Sequence, residues 1–188
     1  AAARVATMKG WLPLAGVALL AALSGVSLLL AGRSASPPAL ESGPVEASPA
    51  AILAAPFADG EGRAQVLGQF AGKVLVVNFW ATWCTPCREE MPGFVKLQSR
   101  WKERGVQFVG LAQDDAAKVA AFGRELGVNY PLWLGEAQVM DLSRRLGNRL
   151  GVLPHTVLLD GQGRVIESRI GIYHEDALES RLAAITGR

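Results

Sequence analysis

Cysteine is scarce in this chain of 188 residues: there are two, Cys84 and Cys87, separated by two residues. Histidine is as rare, with only His155 and His174. A structural zinc site asks for about four sulfur, nitrogen or oxygen ligands. No second cysteine pair exists to complete one and the histidines are distant in sequence, so structural zinc is excluded. Charge of one sign is also lacking. The formal net charge is +2, and from Ala51 onward 16 Lys/Arg are balanced by 15 Asp/Glu with no basic cluster. That balance argues against a nucleic-acid partner. No internal repeat is present.

Charge is missing altogether from residues 10–32, "GWLPLAGVALLAALSGVSLLLAG". As a helix these 23 residues would span about 34 Å. A bilayer core is about 30 Å thick, so the segment is expected to be a transmembrane anchor. A cleaved signal peptide is the alternative. Its apolar core usually holds about 7–15 residues, and the small-residue pattern of a cleavage site fails at both Ala31 and Ala35. Arg4 and Lys9 precede the run, while Arg33 alone follows before Glu41 and Glu46. The positive-inside rule then puts residues 1–9 in the cytoplasm and everything after Arg33 outside. Residues 33–50, "RSASPPALESGPVEASPA", are rich in Pro, Ala and Ser without an apolar period and read as a linker. Residues 51–188 suffice for one folded domain.

That domain alternates strands and helices. "KVLVVNFW" and "VQFVGLAQ" are continuous apolar runs, as expected of strands buried on both faces. "TPCREEMPGFVKLQSRWKERG" sets Met91, Phe94, Val95 and Leu97 on one helical face and ends at Gly105. "DDAAKVAAFGRELG" is a helix with Asp114 or Asp115 as its cap. "NYPLWLG" is a short strand and "AQVMDLSRRLG" another helix. "HTVLLD" and "RVIESRIG" form a hairpin, and "EDALESRLAAITG" closes the chain as a helix. Upstream, "LAAPFADGEGRAQVLGQFAG" is expected to be a small hairpin at the sheet edge. The order predicts an α/β fold: a mixed central sheet with helices on both faces.

The cysteine pair admits three readings. A metal clip is open only for a soft ion such as copper. A structural staple gains little, because the loop it would close is tiny. A redox pair fits the position best. Cys84 falls where a buried strand gives way to a helix, and the unpaired N–H groups and dipole of a helix N-terminus stabilise a thiolate there. Cys87, one turn on, is more shielded. Cys84 would attack a substrate disulfide and Cys87 would resolve the mixed disulfide. Pro86 stiffens the first turn, where its missing N–H is harmless. Trp83 is expected to line the surface of the site, and Thr85 and Pro86 to meet substrate. Pro154 stands just before a buried strand, where a cis peptide after Leu153 would suit it. Glu90 shares the helix face of Cys87 and is the candidate proton acceptor; Glu89 beside it reads as a solvated charge. Trp80 reads as core, His174 as surface, and strand alternation turns His155 away from the cysteines.

The motifs "VVNFWATWCTPCREEMP" and "LPHTVLLD" resemble the thioredoxin superfamily, and within it the membrane-anchored TlpA-like and ResA-like thiol-disulfide oxidoreductases, over about Leu53 to Ile185. The resemblance implies a thioredoxin-like fold with an N-terminal β-hairpin and an extra helix–strand insert between Ala112 and Pro154. It implies a cis Pro154 against the cysteines, a Leu153 backbone that pairs with bound substrate, and a Glu at the Glu90 spacing in the active site. It implies a redox-active disulfide with no other cofactor, a disulfide-bearing protein substrate, electrons from a membrane thiol donor, and often a role in cytochrome c maturation. The folded domain is expected to be a monomer. One departure stands out: where cytosolic thioredoxins carry a buried Asp two residues before the strand-end Trp, this chain has Asn78. The expected function is a periplasmic disulfide reductase. The alternatives are a protein disulfide oxidase and a copper-delivery module for respiratory oxidase assembly that uses the two thiols as soft ligands.

Overall fold

The apolar run from Val74 to Trp80 organises the rest of the domain. In the computed structural model of the protein, which describes residue 40 and residues 42–187, it forms β3 (Val74–Trp80), with every residue from Leu75 onward buried. β3 pairs in parallel with β4 (Val106–Ala112) and antiparallel with β6 (His155–Leu159). Beyond β4 come β5 (Leu132–Leu134), then the expected edge hairpin of β1 (Pro56–Ala58) and β2 (Ala64–Val66); beyond β6 comes β7 (Val165–Ile170). Among the described residues the sheet is mixed and seven-stranded, in the order β2-β1-β5-β4-β3-β6-β7.

Helices cover both faces. On one, Met91, Phe94 and Leu97 of α2 (Thr85–Trp101), Val119 of α3 (Ala116–Leu126) and Leu178 and Leu182 of α5 (Glu175–Thr186) pack on Val76, Trp80, Phe108 and Leu158. On the other, Ile52 of α1 (Pro49–Ala54) and Val139 and Leu142 of α4 (Glu136–Arg145) pack on Leu75, Val77, Phe79, Val109 and Val157. A strand enclosed this way has no polar face to show, so β3 and β4 lack the alternation of a half-exposed strand. Gly110 is needed within β4. A Cβ there would lie 2.6 Å from Leu132 Cδ2 and 2.9 Å from Trp80 Nε1, so only glycine lets the indole and β5 close in. The insert between β4 and β6 is α3, β5 and α4, as expected.

The linker read over 33–50 is shorter on its described side. Leu40 bridges Ile170. Gly43 N–H donates to Gly147 O and Glu46 N–H to Arg145 O, each at 2.7 Å. Ala47 is buried, and the Ser48 hydroxyl accepts from Ala51 N–H to cap α1. The Ser42 hydroxyl donates to Ser168 O at 2.6 Å and Arg149 pairs with Glu46 at 2.9 Å, so this strap is held by backbone groups and polar side chains, which leave no apolar period for composition to reveal. The segments expected as residues 1–9 and the anchor over 10–32 lie outside the described residues. Among the described residues, no helix is long and apolar enough to cross a membrane.

Candidate active site

β3 delivers the chain to Trp80, a turn follows, and α2 begins at Thr85 with Cys84 as its N-cap. Cys84 is extended, and its Sγ accepts the Cys87 N–H at 3.3 Å, one of the donors a helix start leaves unpaired. Pro86 occupies the first turn without loss. Cys84 and Cys87 are joined in a disulfide. Cys84 is 5% exposed and Cys87 0%, so the outer sulfur is the one a partner can reach. Trp83 is 68% exposed, Thr85 exposed and Pro86 half-buried.

The turn before Cys84 is pinned by Asp114, whose carboxylate accepts both the N–H and the hydroxyl of Thr82. Burial opposes ionisation of Asp114. The hydrogen bonds from Thr82 and from Asp115 N–H outweigh it and hold the carboxyl below the usual carboxylate range. Asp114 and Asp115 read alike as caps in the sequence; Asp115 takes the cap of α3. Strand register separates them. Trp80 pairs with Ala112, so two residues further on Thr82 faces Asp114.

Glu90 lies one turn beyond Cys87 in the buried stripe of α2 and is only 4% exposed. Its Oε1 accepts from Asn78 Nδ2 at 2.7 Å and its Oε2 from the Tyr173 N–H at 2.9 Å. The Asn78 amide also donates to Thr156 Oγ1 at 3.2 Å. Burial pushes the Glu90 carboxyl up to about 8, against the opposing pull of those hydrogen bonds and of Arg169. Burial, and then the Glu90 carboxylate, push the nearby Tyr130 phenol up as well. Glu89 is exposed. The two acids, adjacent in sequence, are thus in opposite environments.

The Leu153–Pro154 peptide is cis. Asn78 pairs with Thr156 and Phe79 with His155, so the next step of that register sets Pro154 against Trp80, at the strand end that leads to the cysteines. The Pro154 carbonyl accepts from Gly171 N–H at 2.8 Å. Among the described residues the N–H and C=O of Leu153 make no hydrogen bond. They remain as one open rung at the end of β6. His155 lies on the opposite face. It stacks on Phe79, holds Ser143 and Ser168 through its two ring nitrogens, and is pushed down to about 4 by burial. Trp80 is core, packed on Phe122. His174 is exposed at the start of α5. Tyr173 and Thr156 went unnoticed in the sequence, because one contributes only a backbone N–H and the other a hydroxyl within an apolar strand.

A disulfide at a strand-to-helix junction, set beside a cis-proline loop on a mixed sheet, is the arrangement of a thioredoxin-fold thiol-disulfide oxidoreductase, and relatives agree. The chain belongs to the Redoxin family, whose family model matches residues 44–185. It is 35% identical over 130 residues to the thiol-disulfide oxidoreductase ResA of Bacillus anthracis, covering 68% of this chain and 72% of that one. A thioredoxin-related protein from Neisseria meningitidis serogroup B superposes with a TM-score of 0.62 at 31% identity, over 70% of this chain and 99% of that one. A thiol:disulfide interchange protein from Chlorobium tepidum TLS shares the fold, with a TM-score of 0.64 at 24% identity over 79% of this chain and 99% of that one.

Proposed function

We propose that this oxidoreductase reduces protein disulfides in the periplasm, tethered to the bacterial inner membrane by residues 10–32 and acting as a monomer. The observation that carries the direction of transfer is Glu90, buried one turn behind Cys87. Strong oxidants of this class owe their potential to a stabilised thiolate in the reduced form. A buried acid behind the pair opposes a second negative charge and favours the disulfide, which makes the dithiol a reductant.

In the reaction the Cys84 thiolate attacks one sulfur of the substrate disulfide. A Cys84–substrate disulfide forms, and the displaced substrate sulfur leaves as a thiolate that takes a proton. Cys87 then gives its proton to the Glu90 carboxylate and attacks Cys84 Sγ. The second substrate sulfur leaves as a thiolate and takes a proton, and the Cys84–Cys87 disulfide remains. The two electrons lost are restored by a membrane thiol donor. The open N–H and C=O of Leu153 pair with the substrate backbone, while Trp83, Thr85, Pro86 and Pro154 form the contact surface. One client class is the apocytochrome c of cytochrome c maturation, whose C-x-x-C-H haem site needs free thiols.

The domain's reduction potential is expected to fall below about −200 mV, towards the reductants near −270 mV rather than the oxidants near −120 mV. A glutathione titration measures it, and a value above about −150 mV would assign the protein as an oxidase. Cys87→Ala is expected to trap clients as mixed disulfides on Cys84 for identification.

A further inference from the structure

Asn148 is fully buried between the end of α4 and the cis-proline loop, and its side chain is almost entirely consumed by one other residue. Its Oδ1 accepts the Val152 N–H at 3.0 Å, and its Nδ2 donates to the Val152 carbonyl at 2.8 Å. The amide therefore pairs with both backbone groups of Val152, as a neighbouring strand would. Those partners fix which end is oxygen, because a backbone N–H only donates and a carbonyl only accepts. The Asn148 backbone carbonyl also takes the Gly151 N–H at 3.0 Å, closing the turn 148–152. Leu150, at the tip of that turn, is 79% exposed.

The second hydrogen of Nδ2 goes to Ser143 Oγ at 2.9 Å, and from there the bonds run in one direction. The Ser168 hydroxyl spends its hydrogen on Leu146 O at 2.7 Å, so it accepts from His155 Nε2–H at 2.8 Å. With the proton on Nε2, His155 Nδ1 is an acceptor and takes the Ser143 hydroxyl at 2.9 Å. The chain Asn148 to Ser143 to His155 to Ser168 to Leu146 fastens the turn to α4, β6 and β7 at once. Every member is satisfied, the condition under which a buried polar network rigidifies rather than weakens a fold.

The residue this assembly holds, Val152, directly precedes Leu153, whose N–H and C=O are unpaired among the described residues. We infer that Asn148 is a positioning residue for protein substrates: by clamping Val152 it sets the height and angle of the Leu153 rung, and with Leu150 it presents an apolar tip to the polypeptide beside the scissile disulfide. A small disulfide has no backbone to pair and would not sense it. The inference rests on the reading of the protein as a reductase of protein disulfides.

The test compares insulin disulfides with the small disulfide dithiobisnitrobenzoate as substrates of the full chain. Asn148→Ala is expected to raise KM for insulin about tenfold, with kcat, the rate with the small disulfide and the reduction potential all within about twofold of wild type. Leu178→Ala, a cavity variant in the core beneath α5, serves as the stability control and is expected to leave KM unchanged. Ser143→Ala, which keeps the clamp on Val152 but cuts its anchor, is expected to raise KM about threefold, and it decides the question if Asn148→Ala does not fold. An unshifted KM for insulin, an equal fall in both substrates' rates, or the same KM rise in Leu178→Ala would overturn the inference while wild type remains active on insulin. Wild type that turns over the small disulfide but not insulin would overturn the protein-disulfide reading itself, and this inference with it.

Discussion

Glu90 accepts two hydrogen bonds that favour its ionised form, and burial still wins. Hydrogen bonds to a charged group contribute about 1.5–3 kcal/mol each, whereas stripping water from a carboxylate costs several kcal/mol even after relaxation. With its carboxyl at about 8, Glu90 lies close to the ordinary range of a thiol, so its ionised fraction is matched to take the proton of Cys87 and, once protonated, to keep it over most of the neutral range. In the reduced protein this acid and the thiols titrate together, and only their joint steps can be assigned. Glu90 gains its charge in the same pH range as the thiols, and Glu90→Gln removes it, so the apparent thiol titration assigned to Cys84 is expected to move down by about one unit. Turnover of a protein disulfide is expected to slow by about a hundredfold, the lower end for losing a proton-transfer group. Thiolate absorbance against pH and steady-state rates check the pair. An unchanged titration with unchanged turnover would reduce Glu90 to a packing role.

Among the elements, the strap from Leu40 and residues 42–47 and the α1 cap behind it change where the folded unit begins. A chain beginning at residue 51 loses the backbone bonds of Gly43 and Glu46, the buried Ala47 and the Ser48 cap. At about 1 kcal/mol for each such bond and for the cap, it is expected to be less stable than a chain beginning at residue 40 by roughly 2–4 kcal/mol. Urea unfolding of the two measures this, and equal midpoints would return the strap to the linker. Elements with a hydrophobic period or a continuous apolar run were legible in the sequence: β3, β4, the helix bearing the cysteines, the terminal hairpin and the insert. The strap was not, because its backbone bonds and its lone polar contacts from Ser42 and Glu46 leave no hydrophobic period. The same division runs through the site. Cys84, Cys87 and Glu90 could be found by spacing along one helix. Asp114 and Asn148 act on residues from other segments, Thr82 across two strands and Val152 around a turn, and only register and closure bring those together.

Over the whole molecule, the two faces of the sheet each hold a buried titratable group, and the two oppose one another in pH. Unfolded, Glu90 releases its proton near its ordinary 4.5; folded, it keeps it to about 8. Its contribution to stability is complete below 4.5 and is lost as pH rises through about 8. His155 is the reverse: folded, it stays neutral down to about 4, while the unfolded chain takes up a proton near 6.5. Its contribution is complete above 6.5 and is lost as pH falls through about 4. Between 4.5 and 6.5 the two slopes cancel, since each is about 1.4 kcal/mol per pH unit where it acts alone. The oxidised protein is therefore expected to be most stable on a plateau from about pH 4.5 to 6.5, losing stability on the alkaline side through Glu90. The acid limb is shared, because Asp114, held below the usual carboxylate range, also loses its contribution as pH falls. The alkaline limb isolates one residue. Urea unfolding of oxidised wild type and Glu90→Gln from pH 4 to 9 should give curves of different slope: wild type level from about 4.5 to 6.5 and falling towards 8, the variant rising to about 6.5 on His155 alone and level above it. A decline of equal slope in both proteins would show that Glu90 is already ionised in the folded state at neutral pH, and would remove it as the store for the Cys87 proton.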